Sequence, residues 1–430
     1  MGRSKTADCV RAGVIIWFTC HNANAALTGY NSKADLRQPE GQSILAAMSQ
    51  HASVCEAWLP DLMKIKAWKS SASKCQTNIT VVTQLSFDRL DMLGRLCTTW
   101  HGWVSAAVYL PLDPQSYSTH VHAAVARLDQ LHADLEPGQC KLDMMLYVPQ
   151  GPPPPTHPAM HPLNALRNRA IAAAQTEVLF LLDADFMVSS SLNELQHSSW
   201  MHSVVSQGVL VVIPALEPVS NDLTSQQAVI RSCTGGKAEA LAGIGQGLLQ
   251  PFHVNRFQAG HSATDFPRWL VADDLYTTQY AVGFEPYVLV SKALVPWYDE
   301  RFTGYLEDKV VHIQHMVHMG FSFAVHPEAF VVHYPHEDSK DQGLVKASVL
   351  MQQIQAMGDA ARYEMAAGVY LPPTKFAPCS APYQTPAQTG FAQGCTDVPG
   401  FKQAGDHAVS HRRRIAAKVL SEHPPNAHAI

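Results

Sequence analysis

Short apolar runs alternate with helical periodicities through the first half of the chain. Residues 79–83 form a β-branched run that predicts a buried strand, and apolar residues then recur at helical spacing over 87–97. Residues 104–110 predict a second strand, 121–135 a second helix and 144–148 a third strand. Because strands that alternate with helices usually form a parallel sheet covered on both faces, we expect a doubly wound α/β domain.

The alternation resumes after four prolines at 152–155, which predict an extended surface loop. Residues 163–174 predict a helix, and 178–182 and 209–213 predict two apolar strands. Between these strands, the segment Ser-Leu-Asn-Glu at 191–194 has the spacing of a helix capping box. We therefore expect the next helix to start at this segment.

Both ends of the chain are patterned more weakly. Residues 57–68 show weak helical periodicity, and the last ninety residues contain scattered Gly and Pro that predict a loosely packed or partly disordered tail. We expect an N-terminal extension over 1–76, one α/β domain over 77–340 and a C-terminal appendix over 341–430.

Composition supports a folded protein and argues against one class of partner. Of the 430 residues, 47% are apolar and 16% are charged, so a large core is available and whole-chain disorder is excluded. Lys and Arg total 31 against 36 acidic residues, which gives a net charge of −5 and does not favour nucleic acid as the main partner. The 22 histidines would make the charge rise below pH about 6.5.

The sequence leaves membrane association and compartment open. No run approaches the roughly 18 apolar residues that span a bilayer. Residues 13–20 follow basic residues and precede a small-x-small motif at 23–25, which resembles a short signal peptide and is equally consistent with a buried strand. None of the nine cysteines forms a CxxC pair, and Cys379 and Cys395 could pair in an oxidising compartment.

Two carboxylates follow the apolar strand 178–182. Asp183 and Asp185 lie beyond its carboxyl end, where ligands bind in open α/β sheets, and their spacing suits Mg²⁺ or Mn²⁺ bridging a diphosphate. A pair of helix-capping aspartates is the alternative. Phe186 and Met187 replace the Gly and Thr of haloacid-dehalogenase phosphatases, and the chain has no P-loop. Of the diphosphate reactions that suit such a metal site, sugar transfer from a nucleotide-sugar remains.

The central part of the sequence resembles a known family. Residues 78–339 resemble glycosyltransferase family 49, the family of the LARGE-type glucuronyltransferase domain and β-1,4-glucuronyltransferase. Six blocks in the family's order carry the resemblance, at 82–90, 164–168 with 182–186, 212–217, 261–269, 284–305 and 329–336.

The resemblance implies a GT-A fold, dependence on Mn²⁺ (with Mg²⁺ as an alternative), a UDP-sugar donor and inversion at the anomeric carbon. The transferred sugar is plausibly glucuronic acid and the acceptor a glycan or glycoprotein. It also implies the lumen of the Golgi or secretory pathway, although no convincing signal anchor precedes Asn78.

By the same resemblance, Asp183 and Asp185 correspond to the metal-binding DxD motif. We expect Asp185 to contact the metal and Asp183 to contact metal-bound water or the ribose. His333 ends an apolar run and is a third candidate ligand, with His336 a further candidate for the metal or diphosphate.

Donor binding is assigned to one predicted helix. Arg167 offers a planar fork for a carboxylate or phosphate, and Asn164 and Asn168 are candidates for hydrogen bonds to the nucleotide or sugar. A salt bridge on the helix surface is the alternative for Arg167.

An inverting enzyme also needs a general base, and three carboxyl groups compete for that role. Asp308 at the start of the predicted helix 309–319 is the first choice and Glu307 the second. This segment departs from the family, which often has Asn-Lys there, so Glu285 is a rival. Simple helix capping is the alternative for Glu307 and Asp308.

Two other functions stay open. A catalytically inactive, lectin-like relative would bind glycans without turning over a donor. A metal-dependent nucleotidyltransferase would release pyrophosphate, although its Gly-rich loop after the first strand is missing here. His312, His315 and His318 repeat every three residues without the zincin pattern, and we expect a partly exposed histidine stripe.

Overall fold

The computed structural model describes residues 59–72, 78–112, 117–151, 160–336, 343 and 350–374. The possible signal segment at 13–20 and the Cys379–Cys395 pair lie outside these residues. One compact unit contains the described residues from Leu59 to 343 together with 372–374, and a second unit contains residues 350–371.

The first unit is built from strands and helices in alternation. Its strands are β1 (Leu62–Trp68), β2 (Ile79–Ser86), β3 (Trp103–Tyr109), β4 (Lys141–Pro149), β5 (Val178–Leu181), β6 (Phe186–Val188), β7 (Val209–Ile213), β8 (Ala215–Pro218), β9 (Leu249–Pro251), β10 (Tyr276–Thr278), β11 (Tyr287–Ser291), β12 (Ser322–Val325) and β13 (Val331–His333). Its helices are α1 (Leu90–Thr99), α2 (Tyr117–Leu135), α3 (Leu163–Ala173), α4 (Ser190–Leu195), α5 (Ser199–Ser206), α6 (Leu223–Gly235), α7 (Lys237–Gly245), α8 (Phe266–Val271) and α9 (Asp308–His318).

The strands form two sheets. The larger has the order β1-β4-β3-β2-β5-β11-β7-β12-β10, and the smaller has the order β6-β13-β8-β9. In the larger sheet β2, β3, β4, β5, β7 and β12 run in the same direction, whereas β1, β10 and β11 run against them. The predicted α/β fold with a mostly parallel sheet is confirmed.

Helices cover the larger sheet on both faces because its strands are apolar on both sides. Alternate residues of β3 enter two separate cores, with Val104 in one and Ala107 in the other. Leu93 of α1 packs in the first core and Leu166 of α3 in the second. This is the doubly wound arrangement that the alternation of elements predicts.

Residues 57–68 were expected to be weakly helical, and that prediction is wrong. Over this stretch the structure has β1, which pairs antiparallel with β4 at the edge of the sheet and precedes the domain boundary expected at residue 77. Only Trp68 of β1 is buried, so the strand carries little hydrophobic signal of its own. An edge strand is selected by pairing with a distant neighbour, which local periodicity does not reveal.

The predicted capping box at 191–194 is also wrong. Helix α4 begins one residue earlier, at Ser190, and its N-cap residue Ser189 makes no side-chain capping bond. The Ser191 hydroxyl instead donates to the carbonyl of Glu328 at 3.0 Å. A tertiary partner therefore takes the hydroxyl that local spacing assigned to the helix end.

The second unit contains α10 (Leu350–Ala367), in which Ile354 and Ala361 are buried. This part of the tail is helical where we expected loose packing. The remainder of the expected tail, beyond residue 374, lies outside the described residues.

A disulfide joins Cys97, near the end of α1, to Cys140, directly before β4. Both residues are buried, and their separation of 43 positions gave no spacing motif by which the sequence could identify the pair. Cys233 in α6 is a buried free thiol. Within the part of the chain that is described, no helix has the length and hydropathy required to cross a membrane.

Several histidines are buried rather than exposed. His312 and His315 of the expected stripe face the interior and only His318 is exposed, so that expectation is wrong. Burial lowers the pKa of His161, His312 and His326 from 6.5 to about 3, and that of His315 to about 4.

These buried histidines predict loss of stability in mild acid. Below pH 6.5 they bind protons in the unfolded chain but stay neutral in the folded one, so the free energy of unfolding falls as pH falls. Each contributes about 1.4 kcal/mol per pH unit once the pH is well below 6.5. Urea denaturation between pH 7.5 and pH 5 measures this slope.

His326→Asn gives the matched variant, because an amide oxygen can accept the backbone bonds that Nδ1 of His326 accepts from Glu328 and Ala329. We expect a shallower pH slope in this variant. Equal stability of the wild type at pH 7.5 and pH 5 would contradict the prediction.

Candidate active site

The site lies where β5 ends and the chain crosses into the smaller sheet. After Leu181 the backbone passes through Asp183 and Asp185 and continues as β6. Antiparallel pairing of β6 with β13 places His333 opposite Phe186, and the Tyr334 N–H donates to the carbonyl of Asp185 at 2.8 Å. Residues about 150 positions apart are thereby fixed side by side.

Asp185, His333 and His336 form the first cluster, which we name the carboxylate–imidazole site. The Asp185 Oδ2 lies 2.7 Å from Nε2 of His336 and 3.6 Å from Nε2 of His333. One candidate ligand atom from each residue lies within 4.8 Å of the others. Burial acts to raise the pKa of Asp185, but hydrogen bonds and charge from the two imidazoles hold it well below 3.8.

This cluster fits a divalent cation. The Oδ1 atom of Asp185 is buried without a hydrogen-bond partner, which an ionised carboxylate rarely tolerates in the absence of an ion or water. A carboxylate with two imidazoles is a donor set suited to first-row divalent metals. The guanidinium of Arg89 lies 3.1 Å from Nδ1 and 3.3 Å from Nε2 of His336. Arg89 was not identified from the sequence as a site residue.

Asp183 has other partners and does not join the carboxylate–imidazole site. It accepts hydrogen bonds from Arg167 at 3.1 Å, from the Tyr287 hydroxyl at 3.0 Å and from Lys309 at 2.9 Å. Although burial opposes ionisation, Lys309 and Arg167 lower the pKa of Asp183 to about 2. The two aspartates of the DxD motif therefore lie in different environments, one among imidazoles and one among cations.

Arg167 connects Asp183 to Asp308. Arg167 is 8% exposed, and its guanidinium donates to the Oδ2 of Asp308 at 2.7 Å and to the amide oxygen of Asn164 at 2.9 Å. The two carboxylates raise the pKa of Arg167 against the effect of burial. With Lys309, the four charged groups form a neutral network beside the carboxylate–imidazole site.

The two asparagines predicted to bind the donor are instead bonded to the chain before α9. The Asn164 amide donates to the Asp299 carbonyl at 2.9 Å, and Asn164 is 1% exposed. Asn168 is fully buried, donates to the Tyr298 carbonyl and Glu300, and accepts from the Tyr298 N–H. The structure thus places Asn168 away from any open surface, where it holds the segment that leads to Asp308.

The turn before α9 determines where Asp308 lies. Leu306 and Glu307 both have positive φ, at 83° and 59°, and Gly304 has φ of 79°. Two consecutive non-glycine residues in this region are unusual and are found mainly where tertiary contacts enforce them. The side chain of Glu307 makes no capping bond, and Asp308 begins the helix with 15% of its side chain exposed.

Glu285 belongs to a second cluster, with His253 and His261. Candidate ligand atoms of these three residues also lie within 4.8 Å of one another. Burial raises the pKa of Glu285 to about 7. Neither histidine was predicted as a site residue, and the only signal was that His261 opens one block of the family resemblance.

Comparison with known proteins shows similarity to glycosyltransferases. Residues 153–353 match the profile of the family described as glycosyl-transferase for dystroglycan. The xylosyl- and glucuronyltransferase LARGE2 of Mus musculus is 33% identical over 273 residues, which are 63% of this chain and 36% of that protein. LARGE2 of Homo sapiens is 31% identical over 318 residues, 72% of this chain and 40% of that protein.

Among solved structures, S. aureus TarS (residues 1–349, with UDP-GlcNAc) aligns with 62% of this chain and 60% of its own, at 10% identity and a TM-score of 0.30. The present chain spans about two fifths or less of the length of the curated relatives it matches.

The fold and the site together define a GT-A domain, in which a mostly parallel sheet presents an aspartate motif at the carboxyl end of its fourth parallel strand. The profile match and the LARGE-type relatives support the assignment of this domain to glycosyltransferase family 49.

Proposed function

We propose that the chain transfers a sugar from a UDP-sugar to a glycan hydroxyl with inversion, in a reaction that depends on a divalent cation such as Mn²⁺. The observation that carries the proposal is the carboxylate–imidazole site, with its unpaired Asp185 oxygen, in a family 49 domain. The names of the relatives favour glucuronic acid or xylose as the sugar, and we propose glucuronic acid.

Asp185, His333 and His336 would hold the cation, which when bound offsets negative charge on the leaving diphosphate. The chain's own cations add to this effect. Lys309 and Arg167 lie at the same edge of the sheet, where ion pairs with Asp183 and Asp308 fix their positions although the network as a whole is neutral. Ordered charges stabilise charge development at little reorganisation cost.

Asp308 is our proposed general base. The bond from Arg167 fixes one of its carboxylate oxygens at 2.7 Å, and the partly exposed side chain remains open to an approaching hydroxyl group. Asp308 would take the proton of the acceptor hydroxyl as that oxygen bonds to the anomeric carbon and UDP departs. The strained turn at Leu306 and Glu307 supports this role, since it aims the first residue of α9 at the site.

The disulfide between Cys97 and Cys140 supports location in an oxidising compartment, because such bonds are rare in reducing ones. With the family membership, we propose the lumen of the Golgi or secretory pathway.

UDP release from a panel of UDP-sugars tests the function, with β-xylosides as acceptors. We expect release from one donor in the presence of Mn²⁺, faster with acceptor and abolished by EDTA. Release that persists in EDTA would contradict the cation dependence. Glycan binding without turnover of any donor would indicate the lectin-like alternative, and pyrophosphate release would indicate a nucleotidyltransferase.

A further inference from the structure

A second set of metal-binding side chains meets beside the site described above. His253 follows β9, His261 lies between two short 3₁₀ turns, and Glu285 precedes β11. His261 follows His253 by eight residues and Glu285 follows His261 by 24, and candidate ligand atoms from all three side chains lie within 4.8 Å of one another. None of the three residues is used to hold the cation of the carboxylate–imidazole site.

Both histidines of this cluster have a buried ring nitrogen with no hydrogen-bond partner. These atoms are Nδ1 of His253 and Nε2 of His261, and His261 as a residue is only 3% exposed. A buried polar atom without a partner destabilises the fold, so two of them beside one carboxyl group require an explanation. A bound cation would supply a partner to both nitrogens and to the carboxyl group together.

The backbone holds the cluster in place independently of any ligand. The Glu285 N–H donates to the Gly260 carbonyl at 2.9 Å, which joins the residue before His261 to the start of β11. A Cβ atom at Gly260 would lie 3.1 Å from Cγ of Glu285, so the close approach favours glycine there. His253 stacks on Phe252 with ring centroids 3.8 Å apart.

We propose that His253, His261 and Glu285 bind a second divalent cation of the zinc type, in addition to the cation held by Asp185 and its two histidines. Two imidazoles and one carboxylate, with room for water or substrate, are the protein ligands of many zinc sites. Burial lowers the pKa of His253 to about 4 and that of His261 well below 6.5, so both rings are in the neutral form that ligates metals.

Charge near the second site is partly balanced. Lys309 acts against a cation here and is the charged group with the largest effect on Glu285. Its ammonium, however, is bonded to Asp183 at 2.9 Å, which offsets that repulsion. The Phe252 ring lies between the two sites, with its centroid 5.2 Å from that of His333. The second cation would tie three chain segments together next to the donor site.

Zinc counts in matched variants test this proposal, and they do not depend on any enzymatic activity. Wild type, His261→Gln, Asp185→Asn and the double variant are stripped with EDTA, equilibrated with Zn²⁺ and passed through a desalting column. Bound zinc per chain is then measured by mass spectrometry. We expect each single variant to bind one Zn²⁺ fewer than wild type and the double variant to bind two fewer.

We compare the zinc count of each variant with that of wild type, because other Cys and His residues of the chain can add the same background to every count. His318→Gln, which removes an exposed histidine of α9, is the control and should match wild type. Glu285→Gln is a second variant in case His261→Gln does not fold, as judged by circular dichroism, and it too should lose one Zn²⁺. An unchanged zinc count in a folded His261→Gln or Glu285→Gln protein would overturn the proposal.

Discussion

Asp185→Asn should lower Mn²⁺-dependent UDP release by on the order of 10²–10³-fold, because it weakens binding of the cation that would stabilise the developing negative charge, and the loss of one such stabilising group typically costs this much. The change keeps the size of the side chain but removes the charge that faces His333 and His336. Mn²⁺ affinity should fall in parallel. UDP release at saturating donor and a Mn²⁺ titration by calorimetry give the two measurements.

Asp222→Asn is the matched control. Asp222 is exposed and caps α6 by accepting the Ser225 N–H at 2.8 Å, and Asn caps helices equally well. This variant should keep wild-type activity and Mn²⁺ affinity. If Asp185→Asn also kept wild-type turnover, with its dependence on Mn²⁺ unchanged, the assignment of the metal site would be wrong.

Asp308→Asn should lower kcat by roughly 10²–10⁴-fold, as expected when a positioned general base is removed. Asn cannot take the proton of the acceptor hydroxyl, although it can still accept the hydrogen bond from Arg167. Because Asp308 lies outside the carboxylate–imidazole site, Mn²⁺ affinity should stay within about twofold of the wild-type value. Separate measurement of kcat and of Mn²⁺ binding therefore distinguishes this variant from Asp185→Asn.

Asp91→Asn provides the control for the second prediction. Asp91 is exposed and lies in the first turn of α1, and Asp308 has the corresponding position in α9. It should behave as wild type. Glu285→Gln provides the competing test. A large loss of kcat in Glu285→Gln with an unchanged zinc count, combined with near-normal kcat in Asp308→Asn, would move the base to Glu285.

Much of the sheet could be predicted because the strands that form its centre are continuous apolar runs. Strand β7 matches its predicted range of 209–213, and β5 ends one residue before the predicted end at 182. Edge strand β1 was missed since its residues are mostly exposed and its strand conformation depends on β4, about eighty residues away. Local periodicity reports burial, and an edge strand buries little.

For the candidate site as well, the sequence predicted some features and missed others. Asp183, Asp185, His333 and Arg167 could be predicted as candidates because each lies at a strand end or in a helix that matches a family block. For Asp183 and Asp185 the sequence predicted different roles, with direct metal contact assigned to Asp185, but it did not reveal the partners of either residue. Arg167 and Lys309 surround the first, whereas strand pairing brings His333 to the second.

By itself, then, the sequence determined the α/β class, the family resemblance and the strand end at which the candidate site lies, since all three are carried by short stretches of neighbouring residues. Tertiary structure alone decided that Asn168 is buried, that Cys97 joins Cys140, and that His253 and His261 meet Glu285. Those outcomes depend on how distant segments pack, and the free energy of such packing is shared among many contacts that no local pattern records.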